Sequence, residues 1–276
     1  MRKHDGLKAY GLWWILIELL DGQGTGDGVT VPKDHPRYRS LVARERVAEG
    51  VTKGLVHVTG LVAHGRGEAF DYLLGERTTP SALEAARAAA AHLLLARAPV
   101  LSVNGNTAVL CPAEMTALAR EVPARLEINL FHRTEDRVRA LAAHLREHGA
   151  TDVLGEDAAP RIPGLSSDRA KTSADGIAVA DVVLVPLEDG DRAEALKRMG
   201  KTVLVVDLNP LSRSAKAADV CIVDEVTRAI PNVTEAVRAL RPLGEDEWRK
   251  VAAAFDARGN RRAALRTMTE TAEKAE

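Results

Sequence analysis

Five short segments of this 276-residue chain carry side chains whose types and spacing suit chemistry on phosphates. In Asp207-Leu-Asn-Pro-Leu-Ser-Arg-Ser214, an acid follows a β-branched run, so its carboxylate sits where a ribose or a base can be positioned. Pro210 stiffens the loop, and Arg213 supplies a planar fork that matches phosphate. Ser212 and Ser214 lack a His/Asp relay and a GxSxG elbow, which argues against a nucleophilic hydrolase. His64-Gly-Arg-Gly-Glu68 places an arginine between two glycines, the composition of a loop folded tightly around a ligand.

The other three segments are read in the same way. Asn104-Gly-Asn106 offers a glycine for close backbone approach and free N–H groups that can cradle an anion, although an ordinary Asn-Gly turn has the same composition. In Arg133-Thr-Glu-Asp-Arg137, Thr134 is a good helix cap and Asp136 suits the helix N-terminus, so Arg133 is left as the candidate for phosphate or carboxylate. Pro186-Leu-Glu-Asp-Gly-Asp-Arg192 concentrates Glu188, Asp189 and Asp191, a set that can hold Mg²⁺ or serve as an acidic helix start.

These segments follow elements that a regular pattern predicts. A helix is expected over 36–54, an irregular or β-branched stretch over 55–63, the loop 64–68, a short helix over 69–74 and a long Ala/Leu-rich helix over 80–97. From Pro99 onward, short β-branched runs alternate with helical stretches: strands at 99–103, 125–131, 152–154, 181–186, 202–207 and 219–224. A long polar loop is expected at 156–176. The fold class is therefore α/β, a Rossmann-like parallel sheet flanked by helices with a helical N-terminal part. The expected divisions are an N-terminal extension at 1–28, a main domain at 29–241 (helical part 29–98, Rossmann-like part 99–241) and a charged, peripheral helical tail at 242–276.

Composition narrows the function classes. With 38 basic and 39 acidic side chains the formal charge is −1, so no global field draws nucleic acid or an anionic membrane. Aromatic residues make up 3% of the chain, too few for base-stacking platforms. Cys111 and Cys221 have no CxxC spacing and read as buried thiols of a cytoplasmic protein. The apolar stretch 11–20 is interrupted by Glu18 and is half the length of a membrane span; the glycine-rich run 21–28 after it reads as a flexible linker.

Taken in order, the segments resemble one family. HPRYRSLVARERVAEG at 35–50, GLVAHGRGEAFDYLLGE at 60–76, SVNGNTA at 102–108, LEINLFHRTEDRV at 126–138, RIPGL at 161–165, DVVLVPLEDGDRAEAL at 181–196 and VVDLNPLSRSAKAADVCIVD at 205–224 are similar to archaeal 4-phosphopantoate–β-alanine ligase (phosphopantothenate synthetase). The likeness runs in one register over about 31–241. It implies ATP-dependent condensation of 4-phosphopantoate with β-alanine in coenzyme A synthesis, releasing AMP and diphosphate through an acyl-adenylate, with a Mg²⁺ requirement and a homodimer. It also implies ATP contacts at Arg44, Arg66, Asp207, Leu208, Asn209, Arg213, Ser214, Glu225 and Val226. On that expectation Arg66 and Arg213 neutralise phosphate charge, Glu68 takes a catalytic role on the metal or the amine proton, and Asn104, Gly105, Asn106 and Arg133 bind phosphopantoate.

Two other readings fit an α/β sheet. A nicotinamide-dinucleotide oxidoreductase requires three glycines after the first strand and an acid at the end of the second, whereas this chain has Asn104-Gly-Asn106 and Phe131-His132-Arg133. A non-catalytic nucleotide-binding protein would hold ATP without forming AMP.

Overall fold

The structure, a computed structural model, describes residues 31–274, so the expected extension at 1–28 lies outside the described residues. Among the described residues three helices precede the sheet: α1 (Tyr38–Thr52), α2 (Val58–Leu74) and α3 (Pro80–Leu95). Thr79 caps α3 by accepting from the Ala82 N–H, and Pro80 fills the first turn, where a missing N–H costs little.

The segment 58–74 departs from expectation. His64-Gly-Arg-Gly-Glu68 is not a loop but the middle of one continuous helix, α2. The helix is fixed at both ends, by His57 accepting from the Thr59 N–H and by Gly75, which takes the left-handed conformation at φ 79°. Those ends and the packing of Leu74 and Asp71 outweigh the roughly 0.5–1 kcal/mol that each internal glycine costs.

Six parallel strands follow: β1 (Pro99–Val103), β2 (Arg125–Ile128), β3 (Val153–Leu154), β4 (Val182–Pro186), β5 (Thr202–Val206) and β6 (Val220–Ile222), in the spatial order β3-β2-β1-β4-β5-β6. The parallel, helix-flanked sheet is the one predicted from the pattern, and its strands take the Rossmann order. The crossovers and capping turns contain α4 (Gly105–Leu110), α5 (Pro112–Glu121), α6 (Glu135–Glu147), α7 (Gly190–Arg198), α8 (Arg213–Ala217) and α9 (Val226–Leu240). All of β1 and β4 is buried, as helices on both faces require. Alternate residues feed two cores: Leu101, Val103, Leu184 and Leu204 on one face, Val100, Val183, Val185 and Val203 on the other.

The C-terminal segment is helical as expected, with α10 (Glu245–Ala254) and α11 (Ala257–Glu273), but it is not peripheral. Ala264 and Met268 of α11 are buried in the second core, and Asn260 Nδ2 donates to Ser81 O at 2.9 Å. Helix α3 lies against α9, α10 and α11, and its buried alanines (Ala85, Ala86, Ala88 to Ala91) permit that close fit. The polar segment 156–176 is tied down by Glu127 of β2, which accepts from the backbone N–H groups of Ser173 (3.0 Å) and Ile177 (2.6 Å).

Candidate active site

The spatial order reverses between β1 and β4, so the loops leaving these neighbours diverge and open a crevice at the strand carboxyl ends. A cleft of about 570 Å³ occupies this point, walled by the loops after β1, β2, β4, β5 and β6 and covered by one side of α2.

On the β5–β6 wall, Asp207, Leu208 and Asn209 line the cleft together with Glu225 and Val226. Asp207 sits in a local turn: Oδ1 accepts from Asn209 N at 2.9 Å, and Oδ2 accepts from Ser212 Oγ at 2.5 Å. Burial pushes its carboxyl above the ordinary value, and Arg66 nearby counters the rise. Ser212 also caps α8 by accepting from Ala215 N at 3.0 Å. Glu225 caps α9 by accepting from Thr227 N at 2.8 Å, and burial raises its carboxyl as well. Arg66 lines the cleft from α2 and makes no side-chain hydrogen bond or ion pair among the described residues.

On the β1 wall, Asn104 is a structural clamp. Its Oδ1 accepts from Thr107 N (3.0 Å), and its Nδ2 donates to Pro186 O (2.9 Å) and Leu187 O (3.3 Å). This bridge spans the switch point and supports Leu187, whose φ of 55° is a left-handed conformation that costs a branched side chain roughly 1–2 kcal/mol. Asn106 Nδ2 donates to Gly60 O at 2.8 Å, joining α4 to α2. Gly105 is required by close packing, since a Cβ there would lie 2.6 Å from Leu55 O.

Three cleft carboxylates are already matched by guanidinium groups of the chain. Glu68 accepts from Arg37 (2.7 Å) and Arg44 (2.6 Å). Burial opposes its ionisation, but Arg44 and Arg37 outweigh that and hold its carboxyl below the ordinary value. Asp71 pairs with Arg228, which also bonds Asp224 at 2.6 Å. Glu188 is enclosed between Arg169 and Arg192.

A sequence model of the phosphopantothenate/pantothenate synthetase family matches residues 81–271. The chain is 55% identical over 83% of its length to a 4-phosphopantoate–β-alanine ligase of Thermococcus onnurineus, covering 88% of that protein. A ligase of the same name from Methanosarcina mazei is 52% identical over 82% of the chain and 89% of the relative, and one from Methanospirillum hungatei is 54% identical over 79% and 87%. The chain belongs to the phosphopantothenate/pantothenate synthetase family.

In this family member the sequence-predicted residues divide into two groups. Arg66, Glu68, Asn104, Gly105, Asn106, Glu188, Asp189, Asp207, Leu208, Asn209, Glu225 and Val226 meet in the cleft wall. Arg44, Arg133, Asp191, Arg213 and Ser214 lie outside it. Arg44 is turned to Glu68. Arg133 donates to Gly155 O and Glu156 O. Arg213, with its side chain 62% exposed, pairs with Asp191 (2.6 Å) and Glu194 (3.0 Å). Ser214 Oγ donates to Glu188 O at 2.5 Å, a buried structural bond.

These contacts bear on two of the expected roles. Glu188, Asp189 and Asp191 do not form a three-carboxylate cradle: Glu188 faces two buried guanidiniums, Asp189 meets Arg169 at 3.3 Å, and Asp191 faces Arg213. Among the described residues no group of three His, Cys, Asp or Glu side chains has the arrangement of a metal site. Asn104, in turn, engages its amide with the sheet and the α4 cap and so frames the cleft wall.

The cleft also contains His64, from the glycine-flanked segment, and His57, His132, Arg137 and Arg169, which the loop patterns did not single out. Arg169 gave no signal, because it comes from the irregular segment 156–176. Arg137 did give one. It stands in the first turn of α6, where the helix dipole disfavours a cation.

Proposed function

We propose that this chain condenses 4-phosphopantoate with β-alanine, using ATP and releasing AMP and diphosphate, to give 4-phosphopantothenate for coenzyme A synthesis. The observation that carries this reading is the switch-point cleft, which joins Arg66, Asp207–Asn209 and Glu225–Val226 on one side to an open β1–β2 wall on the other, in a chain whose relatives bear that ligase name.

The chemistry divides into two steps. A carboxylate oxygen of phosphopantoate attacks the α-phosphorus of ATP and diphosphate leaves, giving an acyl-adenylate. The amine of β-alanine, having lost a proton, then attacks the acyl carbon; AMP leaves with the bonding electron pair, and the amide nitrogen gives up a second proton. Such a reaction asks the protein mainly to neutralise phosphate charge, align the reacting atoms and exclude water. Arg66 is the cleft cation free to meet ATP phosphates. Arg213 and Arg44 reach them only after exchanging their acidic partners for the nucleotide, a swap that charge-assisted bonds to phosphate favour. Glu68, held ionised between two arginines, anchors them and is a poor proton acceptor.

The family resemblance supports a Mg²⁺ requirement, a homodimer and a cytoplasmic enzyme. The acids at 188–191 do not fit a protein-built Mg²⁺ cage, for the reasons given by their ion pairs. Mg²⁺ would then take most of its oxygens from ATP and water.

The test is AMP release from a mixture of protein, ATP, Mg²⁺, 4-phosphopantoate and β-alanine, with pantoate in place of phosphopantoate as a control. AMP that forms only with both co-substrates supports the reading. ATP binding without β-alanine-dependent AMP would replace it with a non-catalytic nucleotide binder, and full activity in excess EDTA would remove the metal.

A further inference from the structure

We propose that Arg137, with the stacked imidazoles of His57 and His132, is the seat for the phosphate monoester of the acid substrate; this rests on the ligase reading above. The three side chains line the β1–β2 end of the cleft, away from the Asp207 and Glu225 wall.

The charges of the cleft single out this corner. Glu68, Asp71 and Glu188 each face guanidinium groups, and Arg169 faces Glu188. Arg137 meets no carboxylate among the described residues. It donates to His132 O and, at 3.1 Å, to Leu55 O, while its Nε is closed off from solvent without an acceptor. It also stands at the positive end of α6, so both the helix and its own burial oppose its charge until an anion arrives.

The two histidines extend the seat. Their rings stack at 3.8 Å between centroids and 28° between planes. His57 Nδ1 accepts from Thr59 N at 3.3 Å, which leaves the proton of the neutral ring on Nε2 as a donor without a partner among the described residues. The His132 ring makes no hydrogen bond among them. Burial, then His132 and Arg137, disfavours protonation of His57, and an anion placed here reverses the last two effects. The absence of a side chain at Gly105 leaves room for the guanidinium, since a Cβ would lie 3.3 Å from Arg137 Nη2.

A guanidinium edge beside two ring N–H donors matches the three oxygens and double charge of a phosphate monoester. The cleft's carboxylates, Glu68, Asp71, Glu188, Asp189, Asp207 and Glu225, all belong to α2 or to the loops after β4, β5 and β6, so this wall repels no dianion. Arg133, the sequence candidate for the same task, lies outside the cleft and is turned to the backbone carbonyls of residues 155 and 156.

Arg137→Gln and His132→Gln test the proposal, the second at an exposed position where folding is not at stake. Steady-state kinetics are expected to give a KM for 4-phosphopantoate raised about tenfold or more in Arg137→Gln, the loss of a charge-assisted hydrogen bond. His132→Gln is expected to raise it less, and both are expected to lose preference for phosphopantoate over pantoate with KM for ATP and β-alanine unchanged. A rise in KM for ATP or β-alanine instead, or retained preference in both variants, overturns the seat. Calorimetric binding of 4-phosphopantoate without ATP separates the two readings. If the wild type binds it more tightly than both variants yet forms no AMP, the ligase reading falls and the seat stands. If the wild type forms AMP and both variants bind the acid as it does, the seat falls and the ligase stands.

Discussion

Glu188→Gln separates a structural carboxylate from a metal ligand. The side chains of Glu188 and Arg192 are 2% and 1% exposed, and Arg169 closes the other side of the carboxylate at 10%. Glu188 Oε1 also accepts from Asp189 N at 2.7 Å, so both oxygens are engaged. Neutralising it leaves the Arg192 guanidinium buried without a carboxylate, with only uncharged acceptors (Ser102 Oγ at 3.3 Å and the amide oxygen) and with Nε and Nη2 already lacking a partner. Breaking such a pair from one side costs about 3–5 kcal/mol, because an uncompensated charge stays behind. For a chain of this size that lowers Tm by about 6–20 °C, with the lower half expected as water and side chains readjust. Burial opposes ionisation of Glu188, but Arg169 and Arg192 hold its carboxyl below the ordinary 4.5. Its stabilisation is therefore complete above the unfolded-state value and fades as pH falls through the lower folded value. Thermal unfolding of both proteins in Mg²⁺-free buffer is the assay. Equal melting temperatures there, with a defect appearing only as weaker Mg²⁺ activation, would refute the ion-pair reasoning.

Three further outcomes are expected. Arg66→Ala should reduce kcat/KM for ATP by about tenfold or more, since this cleft cation has no internal partner to replace; wild-type kinetics would place ATP elsewhere. Asp71→Asn should destabilise the fold by about 3–5 kcal/mol in denaturant titrations, because Arg228, 10% exposed, keeps only Asp224 as a charged partner. His64 and His92 are held below the ordinary 6.5, mainly by burial, so below that pH the unfolded chain takes up protons that the native one refuses. Stability should fall as pH drops from about 7 towards 5, by up to about 1.4 kcal/mol per unit for each imidazole, and replacing both with Asn should flatten that slope.

The central strands were legible because they are short runs of buried β-branched residues, as at Val182–Val185 and Val203–Val206; β2, Arg-Leu-Glu-Ile, carries that signature only weakly. Helix α2 was hidden by its own glycines. Gly65 and Gly67 look like loop punctuation, while the features that fix the helix, the His57 cap and the Gly75 turn, lie outside the suspicious stretch. The β5 loop stood out because it follows a strand end directly, whereas Glu225 and Val226 of the β6 loop came from the family resemblance alone. Glu188 could not be placed, because its partner Arg169 comes from a segment without periodicity and the pairing exists only in three dimensions. Arg133 and Arg137 show the same limit. Both are plausible from their spacing and both bond backbone carbonyls; what distinguishes them is that Arg137 lines the cleft and Arg133 does not.

The seating of α3 has a consequence for the order of synthesis. Its apolar surface is covered by β6 and, for the larger part, by α9, α10 and α11, which are made long after α3 itself. A helix rich in alanine and leucine must therefore wait, uncovered, until nearly the whole polypeptide has been made. Truncation at the end of β6 should leave most of that surface uncovered and yield an aggregation-prone chain, and a stalled nascent chain of that length should recruit chaperones more strongly than one stalled before α3.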